Sequence, residues 1–315
     1  VTAPEAGWHL IVDPACDGWR LDRFLALRLT RVSRARAARL AVFDEDDPER
    51  GPLKKSVPVR KGQRLFARRP LPDAGADAAL DPPTVLHEDD ELIVIDKPPG
   101  WAAHPTASRH AATLTTWLRR SGFGETAEPL HRLDVETSGL LAIARTTAAA
   151  RHYKGVLAER SFEKSYLAVV TGTPTAPVFT LDTPLGFDAS SAVRLKMGVG
   201  DLPSQTRCRV LWNGTGRAVV EAAPVTGRQH QIRVHLAMAG LPIVGDKLYG
   251  PDEGLFLASL DRALEPDELT RLGHVRHGLH AWRLVIPRAP DRMDTFEAPW
   301  PADLAALVPG FRPPA

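Results

Sequence analysis

The stretch His131-Arg132-Leu133-Asp134-Val135-Glu136-Thr137-Ser138-Gly139 decides how this chain is read. It is polar and turn-rich, and apolar sequence bounds it on both sides. Pro129-Leu130 leads in. Leu140-Leu141-Ala142-Ile143-Ala144 leads out as a short apolar run that reads as a buried strand. An acid and a base-type residue therefore sit on a loop anchored to a core strand, where functional residues concentrate. A plain turn is the other reading. Asp134 would then bond the backbone around Thr137, and Gly139 would supply a special backbone angle. The stretch alone leaves both readings open, because short motifs recur by chance.

At 315 residues the chain exceeds the usual single-domain length, so one large and one small domain are expected. Hydrophobic residues make up 43% and charged residues 25%, enough for a sizeable core without staples. Cys16 and Cys208 are far apart and in no pair motif. That argues against a disulfide framework or a cysteine zinc site and fits a reducing, cytoplasmic location. No run approaches the length of a membrane span, and Val1-Thr2-Ala3-Pro4-Glu5-Ala6-Gly7 lacks the order of a signal peptide. Net charge is only +2. Its distribution says more: Arg20, Arg23, Arg28, Arg31, Arg34, Arg36 and Arg39 cluster with Asp22 as the only acid among them. Such a patch suits phosphate contact. A solvated arginine face would look the same.

Working outward, residues 8–72 form a compact basic segment. Leu21, Phe24, Leu25 and Leu29 follow helical spacing. Ser33 is placed to cap a second helix through Leu40, and Val57 to Ala67 reads as strand with a Lys61-Gly62 turn. The Pro/Ala/Asp-rich tract that follows holds a linker at 73–84. The larger domain is expected over 85–310. Glu91 to Ile95 alternates as a strand ending at Lys97-Pro98-Pro99-Gly100. Helices are expected at Thr113–Arg120, Thr147–Arg160 and Gln229–Ala239, and strands at Leu140–Ala144, Phe162–Val170 and Leu279–Ile286, the last stopped by Pro287. Arg209–Glu221 reads as a hairpin turning on Asn213-Gly214-Thr215-Gly216. Recurring hairpins predict an α+β domain with a mainly antiparallel sheet rather than a doubly wound one.

Three side chains stand out chemically. Asp134 needs a nearby guanidinium if it is to stay ionised as a nucleophile. Thr226-Gly227-Arg228-Gln229-His230-Gln231-Ile232-Arg233-Val234-His235-Leu236 offers one. Thr226 and Gln229 have capping-box spacing, and Gln229 and Arg233 would share a helix face. A helix arginine more often pairs with a surface carboxylate. Tyr166, in Phe162-Glu163-Lys164-Ser165-Tyr166, falls by strand parity with Phe162 and Lys164, opposite Leu167 and Val169. A buried tyrosine bonding its hydroxyl is the commoner case.

Together these segments resemble the RluA-type pseudouridine synthases, which isomerise uridine in RNA. The signature His131-Arg132-Leu133-Asp134 with Thr137-Ser138-Gly139 carries the likeness, as does Gly227–His235 followed by Gly240-Leu241-Pro242-Ile243-Val244-Gly245-Asp246. Further matches are Lys164-Ser165-Tyr166, the Val85–Gly100 strand and turn, His104-Pro105 and His277–Leu284. Arg20-Leu21-Asp22-Arg23-Phe24-Leu25 and Ser33-Arg34-Ala35-Arg36 resemble the S4 RNA-binding domain. There the chain departs from the pattern: Asp44-Glu45-Asp46-Asp47-Pro48-Glu49-Arg50-Gly51 replaces a short Gly/Asn turn.

The resemblance implies a pseudouridine synthase catalytic fold preceded by a small S4-like α/β domain. It implies Asp134 as nucleophile or base, Arg233 as its ion-pair partner and Tyr166 against a flipped-out base. Arg132 would contact phosphate or fill the gap in the stack, and Ile232 would pack beneath the base. His131, Arg228 and Gln231 complete the substrate side. The partner is RNA, ribosomal first and transfer RNA second. No cofactor, metal, nucleotide or membrane is expected, and a monomer suffices.

Other classes remain open from sequence. A nucleoside or glycoside hydrolase could use Asp134 with Glu136 as the second carboxylate. An inactive RNA-binding ribosome-assembly factor could keep the fold. His230 and His235 point apart on a helix, and HExxH, Gly-rich phosphate-loop and Gly-x-Ser-x-Gly motifs are absent.

Overall fold

The computed structural model describes residues 7–29, 40–47, 50–68, 80–103, 113–289 and 291–314. They fall into two compact units, residues 7–68 and residues 80–314. The first contains β1 (Gly7–Ile11), α1 (Leu21–Arg28), β2 (Ala41–Asp44) and β3 (Arg64–Arg68), with sheet order β1-β3-β2. Helix α1 buries the face that its spacing predicts: Leu21, Phe24 and Leu25 pack with Val12, Val42, Val59 and Leu65. The helix expected from Ser33 and the arginines at 31, 34, 36 and 39 lie outside the described residues. The expected strand over 57–67 shrinks to β3, because Val57 and Val59 bond the backbone of Leu21 and Trp19 instead.

The described part of the arginine cluster is largely neutralised in place. Arg20 pairs with Asp22 at 3.0 Å, Arg28 pairs with Asp13, and Arg23 lies 3.8 Å over the Trp19 ring. In the described part of the acidic stretch, two carboxylates bond nearby groups. Asp44 accepts from the Asp46 N–H at 3.1 Å and the Gln63 amide at 2.6 Å, and Asp46 pairs with Arg64 at 2.7 Å.

The second unit runs β4 (Thr84–Glu88), β5 (Leu92–Lys97), α2 (Leu114–Arg120), β6 (Glu128–Pro129), β7 (Ser138–Ala144), α3 (Thr147–Ala158) and β8 (Glu163–Thr171). There follow β9 (Val178–Leu181), β10 (Leu185–Phe187), β11 (Met197–Val199), β12 (Thr206–Asn213), β13 (Arg217–Pro224) and α4 (Gln231–Met238). The unit closes with α5 (Gly254–Asp261), α6 (Pro266–Leu272), β14 (Leu279–Ala289), β15 (Arg292–Glu297) and α7 (Ala302–Ala305). The main sheet has the order β4-β5-β7-β14-β8-β13-β12-β9, with β15 on β14 and β6 on β7. Among the described strands of this sheet only β7 and β14 pair in parallel, so the α+β expectation holds. Residues around 178–199, 254–272 and 292–305 add elements that carried no assignment from sequence.

One row across the sheet positions the chemistry. Lys97 lies opposite Gly139, Gly139 beside Ala281, Ala281 opposite Tyr166, and Tyr166 opposite Ala222. Strand β8 sends Ala168 and Val170 into a core with Ile232 and Leu236 of α4, and Leu167 and Val169 into one with Trp282 and Phe311. This is the alternation that its sequence predicts. Strand β14 differs from expectation by continuing through Pro287. Its pairing with β8 ends at Val285, and only β15 remains alongside, so the missing N–H disrupts little.

Candidate active site

The signature stretch is the loop between β6 and β7. Its shape comes from an Asp134 carbonyl that accepts from the Thr137 N–H at 3.1 Å, and from contacts on the Lys97-Pro98-Pro99-Gly100 turn. The Gly100 N–H donates to the Val135 carbonyl at 2.8 Å, and the buried Lys97 ammonium donates to the same oxygen at 3.2 Å. Gly139 has φ +106°, and a Cβ there would lie 2.2 Å from the Ala281 carbonyl oxygen. Only glycine lets β7 start this close to β14. The plain-turn reading of Asp134 is half right: the backbone makes the turn, but the carboxylate points elsewhere.

Asp134 Oδ2 accepts from Arg233 Nη1 at 2.7 Å across 99 residues of sequence. Arg233 also donates through Nε and Nη2 to the two oxygens of Asp246, at 2.7 and 2.8 Å. Asp246 Oδ1 further accepts the N–H groups of Leu248 and Tyr249. Burial alone would raise the Asp134 pKa. Arg233, His230 and His277 outweigh it and hold the carboxyl down to about 2. Asp134 is therefore ionised at neutral pH.

A cavity of about 580 Å³ opens over this carboxylate. Tyr166, Ile232 and Leu279 supply apolar walls, and Arg132, Arg160, Lys164 and Arg228 bring positive charge. Among the described residues Asp134 is the only carboxylate that lines it. Burial and the nearby Asp134 charge push the Tyr166 phenol up, so it stays protonated. Glu136, the second carboxylate considered from sequence, is turned away: it pairs with Lys247 at 2.6 Å and accepts from the His277 N–H. His131 and Gln231 border the cavity too. The His131 Nε2 accepts from the Ala142 N–H at 3.2 Å. The Gln231 amide is fully used inside the protein, accepting from Thr226 and the Arg228 N–H and donating to Gln205 and Thr206.

Comparison with known proteins adds a second line of evidence. Residues 91–238 match the family model for RNA pseudouridylate synthase. Ribosomal large subunit pseudouridine synthase D of Nitrosomonas europaea is 32% identical over 317 residues, covering 96% of this chain and 88% of that protein. An uncharacterized RNA pseudouridine synthase of Chloroflexus aurantiacus is 34% identical, covering 95% of this chain and 92% of that one. The solved structure of human RNA pseudouridylate synthase domain containing 1 superposes with a TM-score of 0.56 at 27% identity, covering 70% of this chain and 87% of that one. The chain belongs to the RluA-type RNA pseudouridine synthase family. Its second unit is a pseudouridine synthase fold, and the reaction class is isomerisation of uridine in RNA.

Within this pseudouridine synthase the helix that carries Arg233 starts later than its sequence suggests. Helix α4 begins at Gln231, so Thr226 and Gln229 form no capping box and Gln229 shares no helix face with Arg233. The Gln231 side chain closes the 226–231 loop instead. His230 precedes the helix in a left-handed conformation, φ 55°. Sequence reasoning weighed His230 only as a metal ligand and Lys164 only as a neighbour of Tyr166, and it passed over Tyr249 and the anchoring role of Asp246. Asp246 was quoted as part of a motif, but nothing local marks it as the partner that aims Arg233. Among the described residues no cluster of His, Cys, Asp and Glu is arranged to hold a metal, and no helix is long and apolar enough to cross a membrane.

Proposed function

We propose that this synthase converts uridines of large-subunit ribosomal RNA to pseudouridine, with Asp134 as the group that acts at the sugar. The observation that carries the assignment is the Asp134–Arg233–Asp246 chain: one ionised carboxylate faces the cavity, and a second, buried one fixes the guanidinium that keeps it so. Isomerisation breaks N1–C1′, turns the base and joins C5 to C1′. A carboxylate beside the sugar serves either by attacking carbon or by removing the C2′ proton. No second carboxylate is needed, which favours isomerisation over the glycosidase pairing.

In this reading the target base leaves its stack, at a cost of a few kcal/mol, and lies between Tyr166 and Ile232. Arg132 and Arg228 meet phosphates, or Arg132 fills the vacated place in the stack. His131 forms part of the wall, and Gln231 shapes the loop beneath. The ribosomal target is supported by the printed names of the relatives from Nitrosomonas and Zymomonas. Transfer RNA is the second reading. Residues 8–72 serve as an S4-like RNA-binding domain, joined through 73–84 to a catalytic domain at 85–310. The enzyme works as a cytoplasmic monomer.

The test is pseudouridine mapping of total RNA from cells with and without the gene. Loss of defined sites in large-subunit ribosomal RNA is expected. Loss confined to transfer RNA would overturn the target, and release of free uracil by the purified protein would overturn the reaction.

A further inference from the structure

Two cavity-lining residues, Arg160 and His230, have left-handed backbone, and His230 has it at the start of a helix. A non-glycine residue in this region costs of order 1–3 kcal/mol and persists only where its surroundings fix it. Here the fixing partner is Tyr249. The Met197 N–H donates to the Tyr249 hydroxyl oxygen at 2.8 Å, and that hydroxyl lies 2.9 Å from His230 Nδ1. Among the described residues Nδ1 is the acceptor in reach of the phenol proton. The rings meet edge to face at 5.6 Å, and the Arg233 guanidinium lies 5.1 Å from the centre of the Tyr249 ring. With Nδ1 accepting, a neutral imidazole carries its own proton on Nε2.

That Nε2 is 3.9 Å from Asp134 Oδ1, the carboxylate oxygen that Arg233 does not use. The separation is too long for a direct hydrogen bond. It suits a third polar atom that accepts from one side and donates to the other. A carbonyl oxygen cannot do both, and a hydroxyl can. Burial, with Arg233 nearby, holds the His230 pKa down to about 4, so the ring stays neutral at working pH.

We infer that His230 is a further substrate-contacting residue: locked by Tyr249, its Nε2–H donates to the 2′-hydroxyl of the flipped uridine, which in turn donates to Asp134 Oδ1. The pair would then read ribose against deoxyribose, the feature by which a protein tells RNA from DNA at a given site. It would also bring C2′, and the adjoining C1′, against the carboxylate. Tyr249 is a positioning residue that acts through His230. The inference rests on the reading of Asp134 as the group at the sugar.

The experiment is a binding cycle on the full chain. Oligoribonucleotides that differ only in uridine or 2′-deoxyuridine at the target position are titrated against wild type, His230→Leu and His230→Gln. Wild type should prefer the ribose form by roughly ten- to a hundredfold, the range for a charge-assisted hydrogen bond. His230→Leu should lose about three- to tenfold of that preference, the share of its neutral hydrogen bond, and the bond to Asp134 should keep the rest. His230→Gln, whose amide N–H reaches a similar place, should keep part of the His230 share. Nitrogen-15 NMR should show the proton on Nε2 in wild type and a mixed tautomer in Tyr249→Phe. Equal ribose preference in wild type and both variants, or a wild-type ring protonated on Nδ1, would overturn the inference. Binding does not require turnover, so these results stand apart from a failure of the Asp134 assignment, which is read from the activity of Asp134→Asn.

Discussion

Arg233 and Asp246 form a two-pronged buried pair, Nε to Oδ2 at 2.7 Å and Nη2 to Oδ1 at 2.8 Å, which leaves Nη1 as the edge offered to Asp134. The guanidinium is thus set by one acid and used by another. Lysine cannot reproduce this, because a point charge cannot present a planar fork to two carboxylates. Arg233→Ala strands a buried carboxylate and should cost about 3–5 kcal/mol in chemical unfolding. Arg233→Lys should be less destabilised yet still lose most activity. Near-normal turnover in Arg233→Lys would show that the fork geometry does not matter.

The Asp134 carboxyl has a definite pH signature. Burial opposes ionisation, but Arg233, His230 and His277 hold its pKa at about 2, against 3.8 for the free group. A depressed folded pKa stabilises the protein above the unfolded value, and that contribution is lost as pH falls through the folded one. Stability from this group should be intact above about pH 4 and decline toward pH 2. Carbon-13 NMR of the Asp134 carboxyl should show no titration near pH 4, where His230 and His277 themselves titrate. A carboxyl midpoint there, in protein that is still folded, would contradict the ion pair.

Gly139 is a structural test of the site. Its φ of +106° and the 2.2 Å approach of a built Cβ to the Ala281 oxygen mean that any side chain forces β7 away from β14. Gly139→Ala should destabilise by at least about 2 kcal/mol. It should also weaken activity, since the loop that carries Asp134 leads directly into this residue. Wild-type melting temperature in this variant would argue that the parallel β7/β14 contact is dispensable.

Lys164 lines the cavity, and burial alone brings its ammonium down to about 8. A cation with no carboxylate among the cavity-lining residues except Asp134 is suited to an RNA phosphate. Wild-type RNA affinity should fall as pH rises from 7 to 9, because deprotonation removes the charge. Lys164→Met should bind several-fold more weakly at pH 7, lose that pH dependence and show a shallower salt slope by about one ion. An unchanged slope would place Lys164 outside the RNA path.

Much of the strand pattern was legible locally, whereas Asp134, Tyr166 and Arg233 came forward through the family resemblance, their local patterns leaving each reading open. The apolar run after Asp134 is strand β7, and the parity of Phe162, Lys164 and Tyr166 does put all three on the cavity. What was hidden depends on long-range geometry. Helix α4 starts two residues late because the Gln231 side chain, rather than a Thr226 cap, ties the loop. His230 looked like a helix residue, and its left-handed turn and Tyr249 partner come from a residue 19 positions away. Pro287 reads as a stop only if the strand has neighbours on both sides, and it has one. Glu136 looked closest to Asp134 in sequence, yet Lys247 and His277 draw it away.

The most direct measurement is tritium release from RNA labelled at C5 of uridine by wild type and Asp134→Asn, each shown to be folded and to bind the RNA. Asn keeps the shape of the side chain and removes the charge that Arg233 holds. Release by the variant should fall by at least about a thousandfold, in line with loss of an essential nucleophile or base. Release at the wild-type rate would mean that the carboxylate over the cavity is not the reacting group.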